Sequence, residues 1–375
     1  MPMKKTASIA MIAVFLAFIG LFFLLNVLTP DRTFSQRENR YLQQRPAFSL
    51  EALFSGGYTE KFEAYTTDQF FLRDAWTTVK ARCELLMGKR ENNDVFYGED
   101  GVLIGRYTAP EPSVLAENAD YLNILTDNVD CPVYFALIPG AAEVWSDRLP
   151  PNAPTDSQKD VIDAVYDQSR ARNVDMLSAL NAHKDEYIFY GTDHHWTSLG
   201  AYYGYNALRG ALGLPEASLS QYDRQIVTDS FYGTVYSSSG FSWVPPDEIE
   251  IFVPDDGSAT ITNYNASEPE ITPLYDLTRL EEKDKYSLFL GGNTPRLVVE
   301  TGQTDKPRLC IVRDSYTDSL LPFLLSDFSE IDLIDLRYFT GSLTGYIRGG
   351  GFDAVLVIYS VANFSTDTNL FFLSM

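Results

Sequence analysis

The chain has 375 residues, enough for one large domain or two moderate ones, and 45% of them are hydrophobic, an ordinary share for a globular protein. Its 51 acidic and 29 basic side chains leave a formal charge of -22, and no basic stripe offsets the repulsion, which argues against nucleic acid as a partner and suits an extracytoplasmic surface. Cys83, Cys131 and Cys310 are too widely spaced for a paired-cysteine zinc site and too few for a disulfide framework.

In chain order, Lys4 and Lys5 precede an uncharged apolar run from about Ala7 to Leu28. About twenty helical residues cross a bilayer core, so this run is long enough to span. It ends in Asn26-Val27-Leu28-Thr29-Pro30, without the small-residue pattern of a cleavage site, and reads as an uncleaved anchor over residues 1–30. The two lysines are the only charges before it, which keeps the tip cytoplasmic and the bulk of the chain outside.

Residues 31–130 read as a partly helical lead-in packing on the core. They contain the turn Ser55-Gly56-Gly57 and a hairpin in which residues 97–101 join Val95-Phe96 to Val102-Leu103-Ile104. From residue 131 to 375 strands and helices alternate. Residues 133–138 form a continuous apolar run closed by Pro139-Gly140, the pattern of a strand buried on both faces. A helix is expected over 157–172, strands over 174–177 and 186–190, and a helix capped by Ser198 that ends near Gly213. Residues 215–305 lose the rhythm and read as an insertion of short strands and loops forming a lid or substrate wall. The alternation returns with strands at 309–312, 331–334 and 354–358 and helices near 319–325 and 343–348, which together imply a mainly parallel sheet covered on both faces.

Asp193-His194-His195-Trp196 holds two of the three histidines, so an imidazole for proton transfer near neutral pH has to come from here. His183 lies in a polar run that reads as a solvated loop or helix end. An aspartate two residues before a histidine on a turn can reach Nδ1, fix the tautomer and leave Nε2 free to take a proton. Ser315 follows the strand 309–312 and precedes a helix from about 318, a turn that projects its hydroxyl over the sheet edge beside backbone N–H groups. Both loops are expected at the carboxyl ends of strands, where function collects in such sheets. Asn363, just past the strand 354–358, is a candidate oxyanion donor or an ordinary turn residue; Arg313, Trp196 and Tyr316 flank the loops as further binding candidates.

Blander readings stand beside these. Ser315 can be a helix cap, the histidine motif a hydrogen-bonded turn with Trp196 packed beneath it, and Asp193, His194 and His195 a metal site. Adjacent histidines on one loop rarely converge on one ion, which disfavours the last. The Gly-x-Ser-x-Gly elbow of α/β-hydrolases is absent from the sequence.

With Gly191-Thr192-Asp193-His194-His195-Trp196 and Arg313-Asp314-Ser315-Tyr316 in place, the chain resembles the DHHW protein family and, more broadly, the SGNH-hydrolase-like proteins of bacterial alginate O-acetylation. Glu38-Asn39-Arg40, residues 68–74, residues 93–101 and Gly291-Gly292-Asn293 add to the likeness. The resemblance implies an α/β fold, an SGNH-like (flavodoxin-like) three-layer α/β/α sandwich whose triad order is rearranged. Asp193 and His195 then precede the nucleophile Ser315, and His194 is a neighbour. Arg313 stands where ordinary SGNH hydrolases have glycine, so their oxyanion donors do not transfer.

The implied activity is a membrane-anchored O-acetyltransferase or acetylesterase acting on a cell-envelope polysaccharide, beside a membrane-bound O-acyltransferase, with no cofactor. A non-catalytic glycan-binding or assembly protein of the same fold is the alternative.

Overall fold

The computed structural model describes residues 2–254, 258–265 and 268–375, which fall into two units: residues 2–89 with 240–242, and residues 90–239 with 243–375. In the first unit, helix α1 (Pro2–Leu28) is followed by the strand pair β1 (Phe34–Ser35) and β2 (Arg40–Tyr41) and by helices α2 (Leu50–Phe54), α3 (Gly57–Asp68) and α4 (Arg73–Leu86). Residues 5–28 of α1 are apolar and long enough to cross a membrane by length and composition. Asp68 knits the unit together, since its buried carboxylate accepts from both Arg40 nitrogens, at 2.9 and 2.6 Å, and from the Gln43 N–H.

The second unit opens with β3 (Glu91–Asn92), β4 (Val95–Tyr97) and β5 (Leu103–Gly105), an antiparallel meander with Phe96 opposite Ile104. Helix α5 (Pro112–Asn128) starts on a proline, which needs no N–H there, and buries Leu115, Ala119, Leu122 and Leu125 along one stripe. The chain then runs through β6 (Val133–Ile138), α6 (Ala141–Val144), α7 (Gln158–Tyr166), β7 (Arg172–Val174), α8 (Met176–Asn181) and α9 (Ser198–Ala211). Strands β8 (Tyr222–Phe231) and β9 (Asp247–Pro254) form a separate hairpin around α10 (Thr234–Ser239). Strands β10 (Ala259–Asn263), β11 (Glu270–Thr272), β12 (Arg296–Thr301), β13 (Arg308–Arg313), β14 (Glu330–Ile334) and β15 (Ala354–Ser360) follow, with helices α11 (Leu321–Leu324), α12 (Leu343–Gly350) and α13 (Val361–Thr366).

Among the described residues one sheet of eight strands runs in the order β11-β10-β12-β14-β13-β15-β6-β7. The five strands from β14 to β7 are parallel, and β13, β15 and β6 are buried along almost their whole length, as a sheet covered on both faces requires. Helices α5, α7 and α13 pack with one another, and α8, α9 and α11 form a second group. The fold is the expected α/β/α sandwich on a large mixed sheet.

The fold departs from the expectation in five places. The short strands expected near the end of the 215–305 segment, β10, β11 and β12, are antiparallel and extend the main sheet instead of standing apart from it; β12 alternates half-buried Arg296 and Val298 with buried Leu297 and Val299, the one-faced pattern of an antiparallel strand. Helix α7 stops at Tyr166, freeing Arg172–Val174 to pair with β6. Met176 and Leu177 start a helix because the Asp175 carboxylate caps the Ser178 N–H. Residues 186–190 contribute only an isolated bridge between Phe189 and Trp196, so the histidine motif does not sit at the end of a sheet strand. Residues 90–128, placed by sequence in the lead-in region, group with the sheet. Cys83, Cys131 and Cys310 are free thiols.

Candidate active site

Ser315 is the first residue of a short 3-10 turn that directly follows β13 at the carboxyl end of the parallel sheet. Asp314, the residue between strand and turn, fixes this corner. One of its carboxylate oxygens accepts from the Tyr316 N–H at 3.0 Å, and the other accepts from the Ser360 N–H at 2.8 Å and the Asn363 side-chain amide at 2.7 Å. The serine turn is thereby tied to the end of β15, its neighbour in the sheet.

The histidine motif is a turn between the Phe189–Trp196 bridge and α9, which is capped by Thr197, accepting the Gly200 N–H, and not by the expected Ser198. Asp247, at the start of β9, anchors its leading edge by accepting from the N–H groups of Gly191 and Thr192, both at 2.8 Å, and from the hydroxyls of Tyr187 and Thr192. Its trailing edge is clamped to the serine turn. The buried Trp196 indole N–H donates to the Tyr316 carbonyl and to Ser319 Oγ, both at 3.0 Å, and the Tyr316 hydroxyl donates to the His194 carbonyl. Gly200 and Gly204 let α9 approach this turn, since a Cβ on Gly204 would lie 2.7 Å from the Trp196 ring.

These clamps bring Ser315, His195 and Asp193 into one line. Ser315 Oγ lies 2.8 Å from His195 Nε2, and His195 Nδ1 lies 2.5 Å from Asp193 Oδ1. A carboxylate only accepts, so Nδ1 carries the hydrogen and Nε2 presents its lone pair to the serine hydroxyl. The second Asp193 oxygen accepts from the N–H and the hydroxyl of Thr234, at 2.8 and 2.9 Å. Because the Thr234 hydroxyl donates there, its lone pair receives the His194 Nδ1–H, 2.7 Å away. The His195 ring lies flat against Tyr286, with centroids 3.8 Å apart and 7° between planes, and the Tyr286 hydroxyl donates to the Ser315 carbonyl.

The electrostatics follow from burial. Burial first and His194 second push the His195 imidazole down to about 4, against the pull of Asp193. Burial alone would raise Asp193, yet the two histidines hold it well below the usual carboxylate range. The site therefore contains a carboxylate and a neutral imidazole poised to accept a proton.

The other sequence candidates occupy different places. Trp196 is wholly buried beneath the turn, and the buried Tyr316 ring packs against His194, His195 and Trp196. Arg313 is buried in an ion pair with Asp318, whose carboxyl burial pushes up to about 7 despite the guanidinium. Asn363 commits one amide hydrogen to Asp314. His183 stacks on Tyr203 and faces Glu186 at the surface. Asp193, His194 and His195 offer atoms within 4.8 Å of one another, but both ring nitrogens of His195 are engaged, by Asp193 and Ser315. Sequence reasoning missed Thr234, Asp247 and Tyr286. One tyrosine among 23 and one threonine in a serine-rich stretch carry no local signal; only Pro245-Pro246 before Asp247 marks a fixed turn.

Comparison with known proteins agrees with this architecture. A crystal structure of a DHHW family protein from Eubacterium siraeum matches with a TM-score of 0.64 and 27% identity, over 75% of this chain and 95% of that one. PatB1 of Bacillus cereus, solved with a sulfonyl adduct, shares the fold at a TM-score of 0.62 and 18% identity, over 74% of this chain and 97% of its own. A probable alginate O-acetylase, AlgJ of Pseudomonas syringae pv. tomato, is 24% identical over 211 residues, 52% of this chain; the chain spans about half, 53%, of that relative's length. The sequence model of DHHW proteins matches residues 123–334, more than half of the chain and the stretch containing Asp193, His195 and Ser315, so the protein belongs to the DHHW family.

Proposed function

We propose that this protein is an acyltransferase of the cell envelope that moves acetyl groups onto polysaccharide hydroxyls, held at the membrane by α1, with Ser315 as nucleophile, His195 as base and acid, and Asp193 orienting the imidazole. The observation that carries the proposal is the unbroken hydrogen-bond line from Ser315 Oγ through His195 to Asp193. The likeness to a probable alginate O-acetylase supports the polysaccharide as acceptor class, and the length of the apolar helix supports anchoring.

In this reading Ser315 Oγ attacks the carbonyl carbon of the acyl donor while its proton passes to His195 Nε2, and Asp193 stabilises the imidazolium. The tetrahedral adduct collapses as the leaving group takes the proton from Nε2, which leaves an acetyl-serine. A sugar hydroxyl then gives its proton to Nε2 and attacks the ester; Ser315 Oγ departs and takes the proton back. The second amide hydrogen of Asn363, which is held by Asp314 next to the nucleophile, is the proposed donor to the oxyanion. The acetyl donor would reach the site from a membrane-bound O-acyltransferase.

The test uses the full chain in detergent with p-nitrophenyl acetate as donor and a neutral oligosaccharide as acceptor. Ser315→Ala and His195→Ala should each lose roughly 10⁴-fold or more in turnover, while His194→Ala and His183→Ala retain it within about tenfold. Equal activity in all four variants overturns the triad. Acetate release without acetylated oligosaccharide overturns transfer in favour of hydrolysis.

A further inference from the structure

The first unit exposes apolar side chains on a scale that isolated surface residues do not account for, among them Phe48, Leu50, Phe54, Phe70, Leu72 and Trp76. Part of this surface is locked to the end of α1. Phe22 contacts the rings of Phe70, Phe71 and Trp76, with centroids 6.3, 6.4 and 5.8 Å away, and Asn26 Oδ1 accepts the Phe71 N–H at 2.8 Å. Trp76 keeps 44% of its surface open.

Helix length sets the level of these rings. The 24-residue, mainly apolar span of α1 from Lys5 to Leu28 rises about 36 Å, against a hydrocarbon core of about 30 Å. Phe22 lies six residues before the helix end, about 9 Å back along the axis and so about 6 Å inside a centred core, within the roughly 5–10 Å to which the apolar face of an interfacial segment sinks below the headgroups. Tryptophan is enriched at the boundary between acyl chains and headgroups, and phenylalanine and leucine accompany it on the apolar faces of segments that lie in it. Beside them a cleft of about 690 Å³ opens between the end of α1 and α3, with Phe23, Val27, Phe62 and Phe70 supplying apolar walls and Asp31 and Arg45 polar ones. An apolar space with charged groups beside it matches a phospholipid, whose acyl chain and headgroup need those two environments.

We infer that the first unit is a membrane-interface module: Phe70, Leu72 and Trp76 seat in the outer boundary of the bilayer that α1 crosses, and phospholipid fills the cleft. The inference rests on the anchoring reading above and adds a second contact with the same membrane. Its consequence is mechanical, because a single helix leaves the rest of the chain free to tilt, whereas a helix plus an aromatic shelf fixes the first unit against the surface.

The test places the full chain in phosphatidylcholine nanodiscs containing phosphatidylcholine spin-labelled at carbon 5 of the acyl chain. In a Trp243→Phe background tryptophan emission should be quenched, and Trp76→Phe should remove the quenched component, since the two remaining tryptophans, Trp145 and Trp196, are buried in the second unit. An environment-sensitive dye on Leu72→Cys, in a Cys83→Ser/Cys131→Ser background, supplies a second probe and should emit at shorter wavelength in nanodiscs than in detergent-free buffer. Emission that is unquenched, or quenched equally in Trp76→Phe, in a chain that resists alkaline extraction from membranes overturns the shelf and leaves the anchor standing. Release of the chain by alkali overturns the anchor reading, and the inference with it.

Discussion

His195 is held between two opposing influences, and their balance sets the working pH. Tyr286 covers one face of the ring and removes water from it, and the adjacent His194 adds its own opposition to the imidazolium; Asp193 on Nδ1 favours it. Burial wins, and the folded-state pKa falls to about 4 from an ordinary value of about 6.5. A neutral imidazole is the form that can take the serine proton, so kcat/KM for a chromogenic ester should stay level from neutral pH down past about 6.5 and fall only in more acid solution. The same shift acts on stability. The unfolded chain takes up a proton at this histidine that the folded chain refuses, so this residue withdraws stability as pH falls from about 6.5 towards 4. An acid limb in the rate profile at or above pH 6.5, measured with saturating buffer control, would sink this account of the site.

At the level of elements, the parts legible in the sequence are those whose pattern is local. Residues 133–138 and 354–358 read as buried strands because an unbroken apolar run between breakers has few other uses, and β6 and β15 occupy those positions. Asp193-x-His195 is local as well, since both ends of the hydrogen bond lie on one turn. What is not legible depends on partners far along the chain. The apolar pattern around Phe189 predicts a strand, but its one bridge is to Trp196, and the turn is held by Asp247 and Thr234 from the hairpin segment. Gly233 shows how close that segment comes. A Cβ there would lie 2.2 Å from the Asp193 Cβ and 2.3 Å from its Oδ2, so only glycine allows α10 to present Thr234 to the carboxylate. Gly233→Ala should therefore push Asp193 off the imidazole and cost about 10²-fold in kcat, the scale expected of a displacement near 1 Å, with KM for a small ester changed much less. A variant with native kcat and an unaltered circular dichroism spectrum would show that the hairpin segment does not hold the aspartate.

Across the full chain, charge would govern how the acceptor of the proposed transfer arrives. A net charge of -22 surrounds a site with no compensating basic stripe in the sequence, so an anionic polysaccharide approaches against repulsion while a neutral one does not. Salt screens such an encounter beyond about 10 Å at 0.1 M but only beyond about 30 Å at 0.01 M. The two acceptor classes are thus separable by one variable. With an uronate oligosaccharide as acceptor, kcat/KM should rise as ionic strength increases from about 0.01 to 0.1 M, whereas with a neutral oligosaccharide of the same length it should stay flat, and hydrolysis of a neutral chromogenic ester serves as the internal control. A fall with salt for the uronate would mean that local cations outweigh the global field. Lys283, which donates to the Tyr232 carbonyl and lies over the Tyr232 and Tyr236 rings, is then the first residue to replace, because its charge is close enough to Asp193 to be felt there.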